Sequence, residues 1–269
     1  MIAAIIFLVF LLAFAVYLFL ISPRLKDRAD MEMLAADYAH RGLWNEKYPE
    51  NSLPAFSLAS DAGFGIELDI QLTKDKRIVV FHDYDLRRMC GDDKKICELT
   101  YSELCKYRLR GTEFGIPTLS EVLKLVDGRV PLLIELKGED GNTELCKRAA
   151  VFLDKYQGAF GILSFNPLFL RWFKRIRPRY ARGQLVTKRV KTKRKGSTLA
   201  GFALTNMLLN VISRPDFIAV DGKTRRRPMI LLCERLFGTK IFVWTVRSRK
   251  DLELCRRERH YSIFEKFIP

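Results

Sequence analysis

"GIELDIQLTKDKRIVVFHD", residues 65 to 83, dictates how the rest of the chain has to be read. Glu67 and Asp69 stand two residues apart, so a strand points both to one face and sends Ile66, Leu68 and Ile70 to the other. A second apolar run, "IVVFHD", comes after only "TKDKR". That is far too short for a helical crossover, so the connection is a hairpin. With its turn centred on Lys74 to Lys76, antiparallel pairing sets Asp69 near His82.

Outward from this hairpin, short apolar runs alternate with amphipathic stretches, the pattern of repeated βα units. Strands are expected near 35–40, 65–71, 131–136, 160–165, 181–186, 217–221, 241–246 and 261–265. Helical segments lie between them: "SLPAFSLASDAG", "TLSEVLKLV", "TELCKRAAVFLDKY", "NPLFLRWFKRI" and "KDLELCRRER". Ser52 and the pair Asn166-Pro167 sit where an N-cap and an N1 proline belong. Eight such units predict an α/β fold, a TIM (β/α)8 barrel, whose functional groups gather at the C-terminal ends of the strands. Residues 84–117 form an inserted segment after the hairpin, before "IPTLSEVL" resumes the barrel.

Three strand ends carry acids or histidines. Two inward carboxylates, Glu67 and Asp69, repel each other unless a cation or a proton lies between them. Glu135 in "LLIELK" adds a third, with no soft ligand nearby, which suits a hard divalent cation, Ca²⁺ or Mg²⁺. Histidine is scarce, with three in the chain, yet His40 and His82 both fall at strand ends, beside Arg41 and Asp83; His260 lies at an ordinary helix end. A histidine pair can act as general base and general acid near neutral pH, and Arg41 offers the forked donor that phosphate oxygens accept. An oxygen-loving metal, two histidines and an arginine together describe phosphodiester hydrolysis.

Ile2 to Ile21 contains no charged residue and as a helix spans about 30 Å, the thickness of a bilayer's hydrocarbon core. The expected organisation is a transmembrane anchor over 1–22, a basic juxtamembrane linker over 23–34 and the barrel over 35–269. A cleaved signal peptide is disfavoured because no Lys or Arg precedes the run and the run is long. Arg24, Lys26 and Arg28 come directly after it, which places the barrel on the cytoplasmic side of a single-pass membrane protein. The net charge of +16 belongs wholly to the linker and barrel, because the apolar leader contributes none. Residues 171–195 alone carry twelve Lys or Arg, ending in "KRVKTKRKG". Beside an anchor, such a face fits a membrane with anionic lipids, whereas nucleic acid is disfavoured for want of a recognisable binding pattern. Six cysteines without a C-x-x-C pair read as free thiols; only Cys90 and Cys97 invite pairing.

The stretches "AHRG", "ENSLPAFSLASDAGFGIELDIQLTKDKRIVVFHDYDLRRMCG", "IPTLSEVLKLV" and "PLLIELKG", with weaker echoes in "SFNP" and "VWTV", closely resemble the glycerophosphodiester phosphodiesterase family. The resemblance implies a barrel of the kind inferred, with a segment inserted after the His-Asp hairpin. It also implies metal-dependent hydrolysis of glycerophosphodiesters to glycerol 3-phosphate and an alcohol. By matching motifs it implies His40 and His82 as the acid–base pair, Glu67, Asp69 and Glu135 as metal ligands, and Arg41 and Lys137 as phosphate contacts. Trp244 looks like the aromatic residue that lines the glycerol side. The chain departs from the family near its end: Arg247 stands where members often have Asn, and "SIFEKFIP" stands where a Thr-Asp precedes a proline. Those departures leave open the shape and charge of the pocket on the alcohol side. The same features admit two other readings. One is lysophospholipase D-type cleavage of lysophospholipids, which calls for an apolar groove beside the site, formed by the 84–117 excursion; the other is a non-catalytic barrel that binds phospholipid headgroups.

Overall fold

The computed structural model describes residues 1–26, 29–138, 141–188 and 198–269. Arg28 and the core of the basic run, Arg189 to Lys195, lie outside the described residues.

Nine strands form one sheet: β1 (Tyr38–His40), β2 (Gly65–Leu72), β3 (Ile78–Val80), β4 (Leu132–Leu136), β5 (Phe160–Ser164), β6 (Ala181–Val186), β7 (Phe217–Asp221), β8 (Lys240–Val246) and β9 (Tyr261–Phe264). Eight of them run parallel in the order β1-β9-β8-β7-β6-β5-β4-β2, and β1 pairs again with β2 to close the barrel. The ninth, β3, lies antiparallel on β2. The eight parallel strands are those expected from the sequence, each within a few residues, and helices pack around them as in a TIM barrel.

Alternation along each strand separates two cores. Leu133, Leu163, Leu185, Phe217, Phe242 and Ile263 fill the barrel interior, and Leu34 plugs its lower end. The opposite faces, with Ile66, Leu68, Ile70, Ile134 and Ile218, pack outward against helix residues such as Phe56, Val122, Phe173 and Ile230. Helix starts obey local chemistry: Ser52 Oγ accepts from the Ala55 N–H, and Asn166 Oδ1 accepts from the Leu168 N–H ahead of Pro167. The segment after β3 has an apolar core of its own, built from Val79, Phe81, Leu86, Met89, Ile96, Leu104 and Leu109.

The hairpin forms as expected, with its turn at Asp75. Ile70 pairs with Val80 and Leu72 with Ile78, so the Phe81 N–H donates to the Asp69 carbonyl at 2.9 Å. A turn centred on Asp75 pairs residues whose numbers sum to an even value. Asp69 therefore faces Phe81, and His82 comes one residue later, where the chain has left the ladder.

The N-terminal helix, Ile2–Ile21, has a mean hydropathy of 3.1 and is only 6% buried. Its last turn, however, is built into the barrel's flank. Ile21 is fully buried, and its carbonyl accepts from Asn210 Nδ2 at 2.9 Å and from Cys233 Sγ at 3.4 Å. Arg214 donates to the carbonyls of Phe19 and Ser22, each at 3.0 Å, with its guanidinium 4.6 Å from the Phe19 ring centre. All six cysteines are free, Cys90 and Cys97 included.

Candidate active site

Strand register assembles the site. His40, the last residue of β1, has Glu67 of β2 as its lateral neighbour, and Asp69 has Glu135 of β4. The inward faces of β2 and β4 thus lay three carboxylates side by side, with ligand oxygens all within 4.8 Å of one another. Glu67, Asp69 and Glu135 are 3%, 1% and 7% exposed. Such a cluster is costly in a dry interior unless it is neutralised. Lys137 supplies one cation, its Nζ lying 2.9 Å from Glu135 and 3.2 Å from Asp69. Arg41 supplies a second, with Nε 3.6 Å from Asp69, while its backbone N–H donates to Glu67 at 3.1 Å.

The three acids respond differently. Burial raises Glu67 well above the usual carboxylate range, and the charges of Asp69 and Glu135 push it further. Burial also raises Glu135, although Lys137 opposes it. For Asp69 the same burial is outweighed by Lys137, His82, Arg41 and the Asn51 amide, and its carboxyl is held far below its ordinary value. Asp69 Oδ1 is buried, and the ion pair with Lys137 is its one polar contact among the described residues. Three buried hard oxygen donors within 4.8 Å of one another, two of them raised by burial, fit a divalent cation of the Ca²⁺ or Mg²⁺ type.

Each site histidine has a carboxylate on Nδ1. His40 Nδ1 lies 2.8 Å from Glu265, and His82 Nδ1 lies 2.6 Å from Asp83. Both rings therefore donate from Nδ1 and leave Nε2 free; His40 Nε2 is 3.9 Å from Glu67. Burial lowers His40 below its ordinary value, and the Glu265 hydrogen bond only partly opposes it. Glu265 itself is lowered to about 2: burial works against this, and the bonds from His40 and Arg247, the latter at 2.6 Å, prevail. His260 takes no part, being bonded to Glu234 at 2.9 Å beneath the outer helices.

The loop after β1 is held by strained backbone and by charge. Arg41 and Asn51 adopt left-handed conformations, φ 61° and 54°, and the Asn51 N–H donates to the Arg41 carbonyl at 2.9 Å. Gly42 comes next at φ 84°, where a Cβ would lie 2.9 Å from the Ala55 backbone. Glu50, buried, is gripped by Arg41 at 2.7 Å and by Arg88 at 2.6 Å, and Asn51 Nδ2 donates to Asp69 at 3.0 Å. Glu50 and Asn51 thus fix the loop and aim Arg41, as strain concentrated at a site commonly does.

These groups line one cavity of about 410 Å³. His40, Arg41, Glu67, His82, Glu135, Lys137 and Trp244, all singled out in the sequence, meet there; Asp69 stands just beneath, bonded to them. Glu265 and Arg88 escaped the sequence reading. Glu265 had a signal, as an acid at the end of the last strand; Arg88 had none, since it comes from the four-residue helix Arg87–Cys90 of the excursion. What the excursion brings to the cavity is Arg88 and Arg110, not the apolar groove that a lysophospholipid substrate calls for.

Residues 40–263 match the model of the "Glycerophosphoryl diester phosphodiesterase family". A glycerophosphodiester phosphodiesterase of Caldanaerobacter subterraneus subsp. tengcongensis is 30% identical, over 80% of this chain and 87% of that one. A glycerophosphodiester phosphodiesterase of solved structure, from Thermotoga maritima, is 30% identical with a TM-score of 0.65, covering 85% and 93% of the two chains. A lysophospholipase D of Rattus norvegicus is 30% identical over 49% of this chain and 45% of its own.

Proposed function

The chain belongs to the glycerophosphoryl diester phosphodiesterase family, and on that premise we propose that it hydrolyses glycerophosphodiesters to glycerol 3-phosphate and an alcohol, with His40 and His82 as the acid–base pair. The observation that carries this reading is the double dyad. Two histidines, each oriented by a carboxylate on Nδ1, overhang a buried triad of acids flanked by Arg41 and Lys137. An ordinary structural histidine needs neither the triad nor the second dyad.

Glu67, Asp69 and Glu135 would hold a divalent cation, Ca²⁺ or Mg²⁺, which supplies Lewis-acid stabilisation of the phosphodiester's negative charge. Arg41 and Lys137 bind the non-bridging phosphate oxygens, each already turned toward the cluster by Glu50 and by Glu135. His40, which burial keeps neutral, takes the proton of the attacking hydroxyl at Nε2. His82 delivers a proton from Nε2 to the oxygen of the departing alcohol as the P–O bond breaks. Trp244, edge-on to Phe165 with ring centres 6.0 Å apart, walls the glycerol side. His40→Ala and His82→Ala test the scheme: each should lower turnover of glycerophosphodiesters by about two to four orders of magnitude in a folded protein. Near-normal turnover by either variant refutes it.

The same proposal places residues 1–22 in the membrane as an uncleaved anchor, 23–34 as its linker and 35–269 as the catalytic barrel on the cytoplasmic side. Twenty apolar residues with 6% of their window buried need a lipid environment. The burial of Ile21 and the bonds to its carbonyl support retention, because cleavage would open that packed site. Cleavage of lysophospholipids is the second reading, supported by the similarity to the rat lysophospholipase D over half of the chain. The basic lining that the excursion contributes favours the soluble diesters.

A further inference from the structure

The cavity has two unlike arcs. From β5, β6 and β8 it receives Leu163, Phe165, Leu185 and Trp244, an apolar and aromatic wall. From the other side, around β9, β1 and the segment after β3, it receives a basic rim. Two rim cations are already committed: Arg88 to Glu50 and Asp83, Arg247 to Glu265. The other two, Arg110 and Lys266, have no carboxylate partner among the described residues, and both side chains are exposed at the mouth.

These two cations also share an unusual backbone. Arg110 has φ 50° and Lys266 φ 67°, in the left-handed region that ordinarily falls to Gly or Asn. Lys266 further places its ammonium 5.9 Å from the centre of the Trp44 ring. It thereby takes the aromatic face on which a quaternary ammonium headgroup would otherwise rest.

We propose that Arg110 and Lys266 select glycerophosphodiesters whose departing alcohol bears a second anionic group, a phosphate or a carboxylate. The inference rests on the reading of the site as a glycerophosphodiester hydrolase with glycerol against Trp244. With glycerol on the aromatic wall and the reacting phosphate over the triad, the alcohol lies toward the basic rim. A cationic alcohol meets like charge there, a neutral one gains nothing, and an anionic one finds two unpaired donors. The departure of this chain's closing segment from the family pattern is then a matter of charge. Lys266 comes directly after Glu265, so the residue that positions His40 and the residue that meets the alcohol are delivered by one turn of chain.

The test compares glycerophosphoglycerol with the same diester bearing a terminal phosphate, and with glycerophosphocholine, on the full chain in detergent with Ca²⁺ or Mg²⁺. The expected kcat/KM is about tenfold higher for the phosphate-bearing diester than for the neutral one, with the choline diester lowest. That preference should shrink with added salt, because rim charges are screened over about 10 Å at ordinary ionic strength. Arg110→Gln combined with Lys266→Gln should bring the ratio between the two glycerol diesters to within about twofold, with the thermal midpoint serving as the folding control. Equal rates on the two diesters, a preference for choline, or a preference that survives the double substitution would overturn the proposal and leave the hydrolase reading intact. Equal rates are also what a rim that serves only an anionic bilayer would give. Hydrolysis of none of the three overturns both.

Discussion

Glu67→Gln puts the acidic triad to a quantitative test. The three ligand oxygens lie within 4.8 Å of one another, and at an effective dielectric of about 20 two unit charges at that separation repel by about 3.5 kcal/mol. Lys137 contacts two members of the triad, at 2.9 Å from Glu135 and 3.2 Å from Asp69. By the same law each of those contacts is worth about 5 kcal/mol before desolvation. Glu67 has no such partner, only the Arg41 N–H, and so it carries the repulsion of both neighbours on top of its burial.

A carboxyl whose folded value is raised leaves the protein's stability intact below the ordinary carboxylate range and erodes it as pH rises through the raised value. In chelator, therefore, the native protein should lose stability toward alkaline pH, and Glu67→Gln should remove that loss. The gain at the alkaline end should approach one carboxylate repulsion, about 3 kcal/mol, or roughly 6–12 °C in thermal midpoint for a domain of this size. Excess Ca²⁺ or Mg²⁺ should invert the order. At about a hundredfold above the dissociation constant a bound ion stabilises the native protein by about 2.7 kcal/mol, and the variant, short of a ligand, should gain little. Thermal unfolding monitored by tryptophan fluorescence in detergent, across pH and with chelator or metal, reads both effects. A variant that melts below the native protein in chelator at every pH, or that responds equally to metal, would refute the reasoning.

Glu265→Gln should lower kcat by roughly a hundredfold, with a smaller effect on KM, since it loosens the orientation of His40. It should also lose native stability above the ordinary carboxylate range, and the gap should close as pH falls toward about 2, where Glu265 titrates in the native fold; a gap unchanged in acid would contradict the pairing with His40 and Arg247. Gly42→Ala should destabilise by about 1–3 kcal/mol and depress activity, because a Cβ at φ 84° lies 2.9 Å from the Ala55 backbone and displaces Arg41; chemical denaturation checks the first effect and turnover the second. In the native protein the exposed thiols of Cys97 and Cys105 should react readily with a disulfide reagent. Buried Cys146 and Cys233, whose thiols burial raises to about 12, should react only on unfolding; rapid labelling of either would contradict the packing around them.

How far the sequence reaches is set by the range of the interactions involved. Alternation and crossover length are local, and they located all eight barrel strands and the hairpin because one face of each strand has to be apolar whatever it packs against. Glu67 and Asp69 were legible for the same reason, as polar residues on an otherwise inward face. Register across strands is not local. That Asp69 lies beside Glu135 depends on the β2–β4 register, and that His40 lies beside Glu67 on the β1–β2 register, neither of which any single segment encodes. In the hairpin the turn falls at Asp75, within the span read from the sequence, so Phe81 stands opposite Asp69 and His82 follows one residue beyond the ladder, near the acid as expected.

Glu265 marks the deeper limit. It lies 225 residues from His40 in sequence and reaches it only because β9 and β1 are neighbours at the seam of the closed barrel. Read as sequence, "IFEKFIP" is a strand end with a departure from the family's closing motif. In the barrel, that strand end places a carboxylate at the seam with basic residues around it, Arg247 bonded to Glu265 and Lys266 at the mouth. Glu265, paired with Arg247, holds His40 Nδ1 at 2.8 Å, the geometry that the proposed acid–base pair needs. If the rim selects the alcohol as proposed, exchanging Lys266 should move specificity, whereas exchanging its neighbour Glu265 should move turnover.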